Sequence, residues 1–502
     1  MSAERAETRA LRGQMREWRN GRAEKTLLEA MSDAYIALFA TLMLGATSFN
    51  VVRQVRVEAT AACSTTACSD ARSVLPWVFA LGIVTAAVFL ARLFGPSLVS
   101  PAEGSWLLAA PVDRKALLRP RLVVAAALSL ITGALLGAVD TTLGGFGVGP
   151  AVTITILIAA AAVCGAMFAA IDQAYELRLA RPLTWALGAV VWAGLLQLAL
   201  GKGPSRMPQT QQLRPAVVVI AVALLLLAVA LIWKAVTGLA LIRRDRLTAG
   251  GSLLANLSGA FFSLDTLLVY DLLLSRRWLA RATVRPVRGG PGGAWALIWR
   301  DVVRLRRSVH TVLLLAASLV APYVAATIGL GKAVTLVGAL TGFLAGLGLC
   351  AGLRILARTP GLIRCFPMSA PVVRAAGLAV PAAVLVTWGA ATTPAVHHGL
   401  APVSWPASMA VGLAVGMASV AAVARWIMAA PPDYSAPLIT SAAGAIPPSL
   451  FGALFRGLDV LLLVTAPMLL AAPMTGAVIS IGLAAIVLVV ILNNRRGVTH
   501  SG

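Results

Sequence analysis

The sequence predicts an all-α polytopic membrane protein with about 12 transmembrane helices in two six-helix halves. Three observations lead to this class: 59% of the 502 residues are hydrophobic, only 12% are charged, and the mean hydropathy is +0.87. Soluble domains carry about 25% charged residues and about 45–50% apolar ones. Apolar runs of about 17–25 residues, the length that crosses a ~30 Å hydrocarbon core, recur along the whole chain. This composition excludes a disordered, fibrous or disulfide-stapled secreted protein.

The apolar windows place the predicted spans, and the charges between them give an orientation. With the amino terminus inside, the cytoplasmic segments hold 35 of the 42 basic residues and the outer loops hold 7. This bias satisfies the positive-inside rule and places both termini in the cytoplasm of a cell-membrane protein. The windows are 31–52, 75–91, 122–139, 151–170, 183–200, 215–233, 311–330, 333–353, 376–392, 405–424, 458–472 and 474–493.

The formal net charge of +23 would suggest nucleic-acid binding in a soluble chain. Here the excess lies in predicted cytoplasmic loops that face anionic lipid, so membrane lipids are expected partners and nucleic acid is not. The first 26 residues are basic and lack an apolar run, so the first span is expected to act as its own insertion signal. Segment 253–274 is apolar, but it contains Asn256, Asp265 and Asp271. Inserting it would carry the following basic cluster outside, which favours a cytoplasmic or interfacial helix.

Two local similarities predict an internal duplication. Each half opens with arginines at i, i+4 and i+7 beside an apolar, aromatic stripe, which is typical of a helix at the lipid headgroups. The alternative is a basic flank that only orients the next span. The loop after the second span also recurs, around Pro111 and Pro367, although a conflicting alignment leaves the later spans open. We expect a basic amphipathic segment at 1–30, a six-span half at 31–246, a cytoplasmic connector at 247–310 and a second six-span half at 311–502. The repeated arginines are Arg12, Arg16 and Arg19, and then Arg300, Arg304 and Arg307.

The polar residues give few indications of catalysis. All 19 acidic residues lie in loops or near predicted span ends, Asp140 among them, and none reaches the membrane centre. Proton- or cation-coupled carriers typically keep ionisable groups inside the bundle, so this distribution counts against such a carrier. No phosphate-binding loop of the type GxxxxGK[ST] is present, so the chain is expected to lack its own ATPase site and cofactor. His397 and His398 are expected in a solvated outer loop rather than in a metal site.

Cysteine usage leaves one question open. Cys63 and Cys68 lie five residues apart in a predicted outer loop, in an oxidising compartment. A local disulfide and two free thiols are both compatible with this spacing.

The stretch SPAEGSWLLAAPVDRKALLRPRL, residues 100–122, resembles the loop after the second span of ABC-2-type exporter permeases. Its marks are a Leu/Ala-Pro turn, a polar residue, a basic residue and then a short helix. The second copy, RCFPMS at 364–369, departs from this pattern, because Ala370 and Pro371 replace Arg114 and Lys115. The runs RDVVRLRRS and LDTLLVYDLLLSRRW are also similar to a large actinobacterial family of twelve-span proteins classed as ABC permeases.

This resemblance implies the membrane-spanning subunit of an ATP-driven exporter for an amphiphilic or hydrophobic substrate. In that family the loop contacts a separate ATP-binding protein, which as a dimer binds and hydrolyses ATP with Mg²⁺. A secondary transporter of the 3+3 repeat type and a noncatalytic membrane scaffold or immunity protein are the alternatives. The residues implied in coupling are Glu103, Trp106, Pro111, Asp113, Arg114, Lys115, Arg364, Pro367, Ser369 and Arg374.

The charge asymmetry makes the orientation testable by cysteine labelling. In a background without native cysteines, an impermeant reagent added outside should modify Thr60→Cys or His398→Cys but not Gly250→Cys or Gly290→Cys. Labelling at the latter two positions would show that segment 253–274 or a neighbouring window had been miscounted.

Overall fold

In the residues that it describes, the computed structural model is α-helical apart from one pair of three-residue strands. The described ranges are 66–95, 113–144, 146–201, 214–243, 266–279, 290–400, 402–429, 439–441, 444–446 and 455–493, with single positions elsewhere. The predicted first span, 31–52, and the basic residues Arg12, Arg16 and Arg19 lie wholly or largely outside these residues.

The chain divides into two compact units. Unit 1 consists of Met1–Ala61, Ser69–Gly194 and Gly203–Ser258, and unit 2 consists of Ala62–Cys68, Leu195–Lys202 and Gly259–Gly502. Five long helices belong mainly to unit 1. They are α1 (Thr66–Phe94), α2 (Arg114–Gly144), α3 (Val148–Tyr175), α4 (Ala180–Ala199) and α5 (Arg214–Gly238), the last followed by a 3₁₀ turn at Leu239–Leu241.

Helix α3 forms the centre of unit 1, because its alanine-rich sequence is buried along most of its length. Small residues on α2 allow the two helices to approach closely. A Cβ atom added to Gly133 would lie 3.0 Å from the Cα of Ala159, and one added to Gly137 would lie 3.3 Å from the Cα of Thr155. The α2–α3 contact therefore depends on glycine at both positions.

Unit 2 contains the remaining described elements. The helices are α6 (Thr266–Leu279), α7 (Ala294–Arg307), α8 (Val309–Ser318), α9 (Val320–Thr327), α10 (Ala333–Gly346), α11 (Ala351–Arg358), α12 (Pro360–Arg364), α13 (Ala370–Ala391), α14 (Thr393–Gly399), α15 (Trp405–Ile427), α16 (Leu458–Leu470) and α17 (Pro473–Asn493). A 3₁₀ segment, Leu347–Cys350, joins α10 to α11, and strands β1 (Ile439–Ser441) and β2 (Gly444–Ile446) pair antiparallel.

Helix α15 is the core of unit 2 and is buried along most of its length. Its glycines face Gly389 of α13, and a Cβ atom on Gly389 would lie 2.5 Å from Gly416 Cα and 2.6 Å from Gly412 O. Against α10, Ser419 Oγ donates to Ala339 O at 3.1 Å, and a Cβ on Gly342 would lie 2.5 Å from that hydroxyl. Close backbone packing of small residues thus assembles this bundle.

Ten described helices are long and apolar enough to cross a membrane, which makes the chain an all-α multi-pass membrane protein. Ten of the predicted windows, all those from 75–91 to 405–424 together with 474–493, fall on these helices. The window 458–472 corresponds to α16, a shorter apolar helix of 13 residues. Helix α6 covers the end of segment 253–274 and is not among the ten.

Contacts between helix ends show that the spans of unit 2 alternate in direction. At one end, Arg374 Nη1 donates to Leu492 O at 3.3 Å, and Arg425 lies 3.4 Å from Asp459. At the other end, Tyr323 Oη donates to Ala391 O at 2.8 Å. These pairs join ends that the sequence assigned to the same side of the membrane.

Candidate functional site

The helix of the candidate span Ala333–Arg358 is interrupted near its carboxyl-terminal end. Polar side chains of unit 2 gather around this break. Between α10 and α11 the backbone winds into the 3₁₀ segment Leu347–Cys350. Such a stretch inside a helix often marks a hinge, and in a membrane protein its polar groups must be satisfied by protein. Tyr270 Oη of α6 donates to Leu347 O at 2.8 Å, and Arg304 Nη2 of α7 donates to Leu349 O. Helices α6 and α7, which are not among the ten candidate spans of the described residues, are therefore bonded to the break.

Arg354 forms the first ionic group at this end. Its side chain is 5% exposed, and it donates to Asp271 through Nε at 3.0 Å and through Nη2 at 2.8 Å. The remaining nitrogen, Nη1, donates to Ile427 O at 3.0 Å, at the last residue of α15. Arg358 pairs with the same aspartate. A two-bonded guanidinium–carboxylate contact fixes orientation as well as charge, so Arg354 joins α6, α11 and α15.

Tyr270 stabilises the position of α6 beside this group. Its ring meets Trp426 of α15 edge to face, with centroids 5.3 Å apart. Burial raises the pKa of Tyr270 above its ordinary value, so the phenol stays protonated and remains a donor to Leu347 O.

Asp301 forms the second ionic group with Arg304 and Arg300. The aspartate side chain is fully buried, with Arg300 Nη2 at 3.4 Å and Arg304 Nη2 at 3.9 Å from its Oδ1. Burial raises the pKa of Asp301, and the charges of Arg304 and Arg300 oppose this shift. Asp301 Oδ2 and Arg304 Nη1 are buried without a hydrogen-bond partner in the described part of the chain. This group is therefore less completely bonded than the Arg354 group.

Gly352 provides the space for the Asp301 group. A Cβ atom at this position would lie 2.5 Å from Arg304 Nη1, 2.8 Å from Asp301 Oδ1 and 3.2 Å from Arg300 Nη2. Any side chain on Gly352 would displace these atoms, because real Cβ atoms essentially never approach so closely. The glycine lets α7 rest directly on the backbone of α11.

The second predicted coupling loop packs against the same helices. An apolar cluster of Leu297, Leu356, Ile363, Val373 and Ala376 joins α7, α11, α12 and α13. Three of the predicted coupling positions, Arg364, Pro367 and Ser369, are exposed above this cluster. Apolar packing therefore fixes one side of this loop, while its charged and polar positions on the other side are exposed.

The first predicted coupling loop lies in unit 1. Asp113 caps the start of α2, because its Oδ1 accepts from the backbone N–H groups of Lys115 at 3.0 Å and Ala116 at 3.3 Å. Lys115 is exposed, Arg114 is half-buried and Trp106 is 81% exposed. Glu103 and Pro111 lie outside the described residues.

The remaining predicted positions have defined environments. On α7, Arg300 and Arg307 are exposed, whereas Arg304 turns inward to Leu349 O. Cys68 is disulfide-bonded, and its expected partner Cys63 lies outside the described residues. Cys164, Cys350 and Cys365 are free.

No metal-binding group of histidine, cysteine or acidic residues occurs within the described ranges. His397 stacks on Trp405 with centroids 4.3 Å apart, and its Nδ1 lies 3.2 Å from Ser408 Oγ. Its neighbour His398 is exposed. These contacts place the two histidines at the end of helix α14 rather than in the expected loop.

Sequence reasoning missed the Asp271–Arg354 pair and the role of Gly352. Asp271 was used only as an argument against membrane insertion, and Arg354 fell one residue beyond a predicted span. A basic residue at a span end and an acidic residue in an apolar helix outside the spans were the available signals. Sequence gave no indication that residues 83 positions apart would pair.

The fold and these contacts define a multi-pass helical membrane protein with a partly buried ionic cluster at one end of its second unit. Residues 68–437 match the family of unknown function DUF6297, and the chain belongs to that family. The match includes Asp271, Asp301, Gly352 and Arg354. None of the curated proteins matches the chain.

The Arg354 group yields a stability prediction. Asp271→Asn should lower the free energy of unfolding by about 3 kcal/mol, because it leaves a buried guanidinium without a carboxylate. Adding Arg354→Met to this variant should recover part of the loss, since the unpaired charge is then absent. Unfolding by titration with sodium dodecyl sulfate, followed by circular dichroism, measures both effects.

Asp459→Asn is the matched control, because its ion pair with Arg425 has both side chains 42% exposed. Exposed pairs contribute about 0–1 kcal/mol, so this variant should unfold almost like the parent. Equal losses for the two aspartate variants would contradict a special role for the buried pair.

Proposed function

We propose that the chain is the membrane-spanning subunit of an ATP-driven exporter for an amphiphilic or hydrophobic substrate. ATP, with Mg²⁺, is bound and hydrolysed by a separate protein that docks as a dimer on the cytoplasmic loops. The chain has 12 spans in two six-span halves, and it lies in the cell membrane with both termini in the cytoplasm. The observation that carries the proposal is the continuous connection from the exposed loop 359–369 to the break inside a span.

The connection has three physical steps. The loop is fixed to α7 through the apolar cluster around Leu297 and Ile363. Helix α7 in turn places Asp301 and Arg304 on Gly352, and Arg304 is bonded to Leu349 O. A force applied to the loop therefore reaches the 3₁₀ segment through packed and bonded atoms. Packed interfaces of this kind transmit displacement because they deform little.

The two docking loops are chemically unequal. The first presents the exposed charge of Lys115 at the start of α2, directly after the capping residue Asp113. The second begins α13 with Ser369 and a proline in the first turn. We therefore assign most of the electrostatic recognition of the ATP-binding protein to the first loop and most of the mechanical coupling to the second.

The first loop gives a partner-binding prediction. Arg114→Glu with Lys115→Glu should weaken association by about 1–2 kcal/mol, the size expected for partly exposed charges at an interface. Quantitative mass spectrometry of the partner recovered with the tagged chain, and the ATPase activity of the purified complex, measure the loss.

Arg178→Glu with Arg181→Glu is the control, since these exposed arginines lie in the next turn of unit 1 that is predicted to be cytoplasmic. Only the variant in the first loop should lose the partner. If both variants, or neither, lose it, this loop is not the docking element.

A secondary transporter is the second candidate, and Asp140 is the observation that favours it. The sequence placed this residue just beyond a span, whereas the structure includes it in α2, four residues before the end at Gly144. Asp140 is 6% exposed, and its Oδ2 has no hydrogen-bond partner within the described ranges. Buried unpaired carboxyl groups in membrane helices are functional candidates, typically for proton or cation coupling.

Energy coupling distinguishes the two candidates. In inside-out vesicles containing the chain and its partner, ATP should drive uptake of an uncharged fluorescent amphiphile, and this uptake should persist with an uncoupler. An uncharged probe is needed because the membrane potential acts on a charged substrate by ~2.3 kcal/mol per charge per 100 mV.

Asp140→Asn should leave ATP-driven uptake intact, and a catalytic-carboxylate mutation in the partner should stop it. Uptake driven by an imposed pH gradient without ATP, and lost in Asp140→Asn, would replace the exporter proposal with the carrier.

A further inference from the structure

Helix α7 has an outward face that does not contribute to the packing of unit 2. Its inward face carries Leu297 and Asp301, which are 4% and 0% exposed. On the opposite side, Trp295 is 66% exposed and Trp299 is 38% exposed. Exposed tryptophans one helical turn apart are typical of a helix at the membrane–water boundary. Helix α7 ends at Arg307, and the apolar span Val309–Thr327 begins two residues later, which puts α7 at this boundary.

The arginines around α7 exceed the carboxylates available to them. Asp271 is shared by Arg354 and Arg358, and among the described residues Asp301 is the one carboxylate paired with Arg300 and Arg304. Four guanidinium groups against two carboxylates leave an excess of two positive charges, even with both aspartates ionised. Arg304 Nη1 is buried without an acceptor in the described residues. The excess of positive charge would favour the binding of an additional anion nearby.

The geometry places the excess positive charge beside an accessible edge. Arg304 Nη1 and Arg300 Nη2 lie within 2.5 and 3.2 Å of one point, the position that a Cβ on Gly352 would occupy. The Arg300 side chain is 45% exposed, so its guanidinium can be reached from outside the cluster. Guanidinium groups match the oxygen geometry of phosphate and can donate two parallel hydrogen bonds to it.

We infer that α7 binds the phosphate of an anionic membrane lipid. Arg300 donates to the phosphate, Arg304 adds its positive charge from the inward side, and Trp295 and Trp299 lie among the glycerol and upper acyl groups. A soluble anion would use the arginines alone and would leave the tryptophans without a role. The inference holds for a carrier as well as for an exporter, so it stands independently of the proposed function. By balancing the excess positive charge beside Arg304, the lipid would stabilise the contact of α7 with the break at Leu347–Cys350.

The experiment uses the full chain, purified in detergent and stripped of lipid, in three titrations. Dioleoylphosphatidylglycerol, dioleoylphosphatidylcholine and inorganic phosphate are added separately, and native mass spectrometry and thermal unfolding report binding. The anionic lipid should bind more tightly than the zwitterionic one and raise the unfolding temperature. Inorganic phosphate should give little protection, because it does not engage the tryptophans.

Arg300→Gln is the main variant, because its exposed side chain can be changed with little effect on packing. It should weaken binding of phosphatidylglycerol about fivefold, the effect of one arginine near an anionic surface. Arg425→Gln is the matched control: this arginine lies at the same end of unit 2, is similarly exposed and pairs with Asp459. It should bind the lipid like the parent.

Arg300→Lys and Trp295→Ala extend the test to the planar donors and to the tryptophans. The lysine keeps the charge but loses the planar donors, so it should weaken phosphatidylglycerol binding, and Trp295→Ala should weaken lipid binding without changing phosphate binding. Equal binding of the two lipids, or equal losses in Arg300→Gln and Arg425→Gln, would overturn the inference. Full protection by inorganic phosphate would also overturn it and would indicate a site for a soluble anion.

Discussion

The second unit depends on how its broken span satisfies the freed backbone carbonyls. Hydrocarbon offers no hydrogen bonds, so irregular backbone is tolerated only where protein groups replace water. At the 3₁₀ segment the replacements come from Tyr270 and Arg304, on two helices that are not among the ten candidate spans of the described residues. The break, α6 and α7 are therefore interdependent. Removing either helix would leave a buried carbonyl unpaired, at a cost of about 1–3 kcal/mol.

Small residues determine where this arrangement can form. Gly352 admits the Asp301 group because even one methyl group would overlap with Arg304 and Asp301. Elsewhere glycine serves a different purpose, since Gly389 and Gly416 bring two helix backbones into direct contact. The first kind of glycine makes room for charged side chains at the end of the bundle, and the second builds its apolar interior. A glycine pattern in the sequence does not distinguish these roles, because the difference lies in what the neighbouring helix presents.

The sequence was sufficient for the features that depend on local periodicity and composition. Apolar windows located ten described helices, and the spacing of Arg300, Arg304 and Arg307 predicted the amphipathic α7. It was insufficient where contacts join distant parts of the chain. Asp271 and Arg354 pair across 83 residues, and the break at Leu347–Cys350 has no marker beyond nearby glycines. Asp140 lay one residue beyond a predicted span, whereas α2 continues to Gly144, because span ends are the least precise part of such predictions. Asp140 is also the residue on which the choice between two transport mechanisms depends.

The two ionic groups differ in how readily they can rearrange. This difference indicates which of the two helices bonded to the break can move. Separating Arg354 from Asp271 would expose a buried guanidinium that donates to a carboxylate and to Ile427 O, a strongly unfavourable change. The Asp301 group has longer contacts, an unpartnered oxygen and an unpartnered nitrogen within the described residues, and one exposed arginine. A shift of α7 over Gly352 would therefore break fewer good bonds than a shift of α6. If loop 359–369 transmits force, the expected response is sliding of α7 on α11, with the Arg354 group as the fixed point.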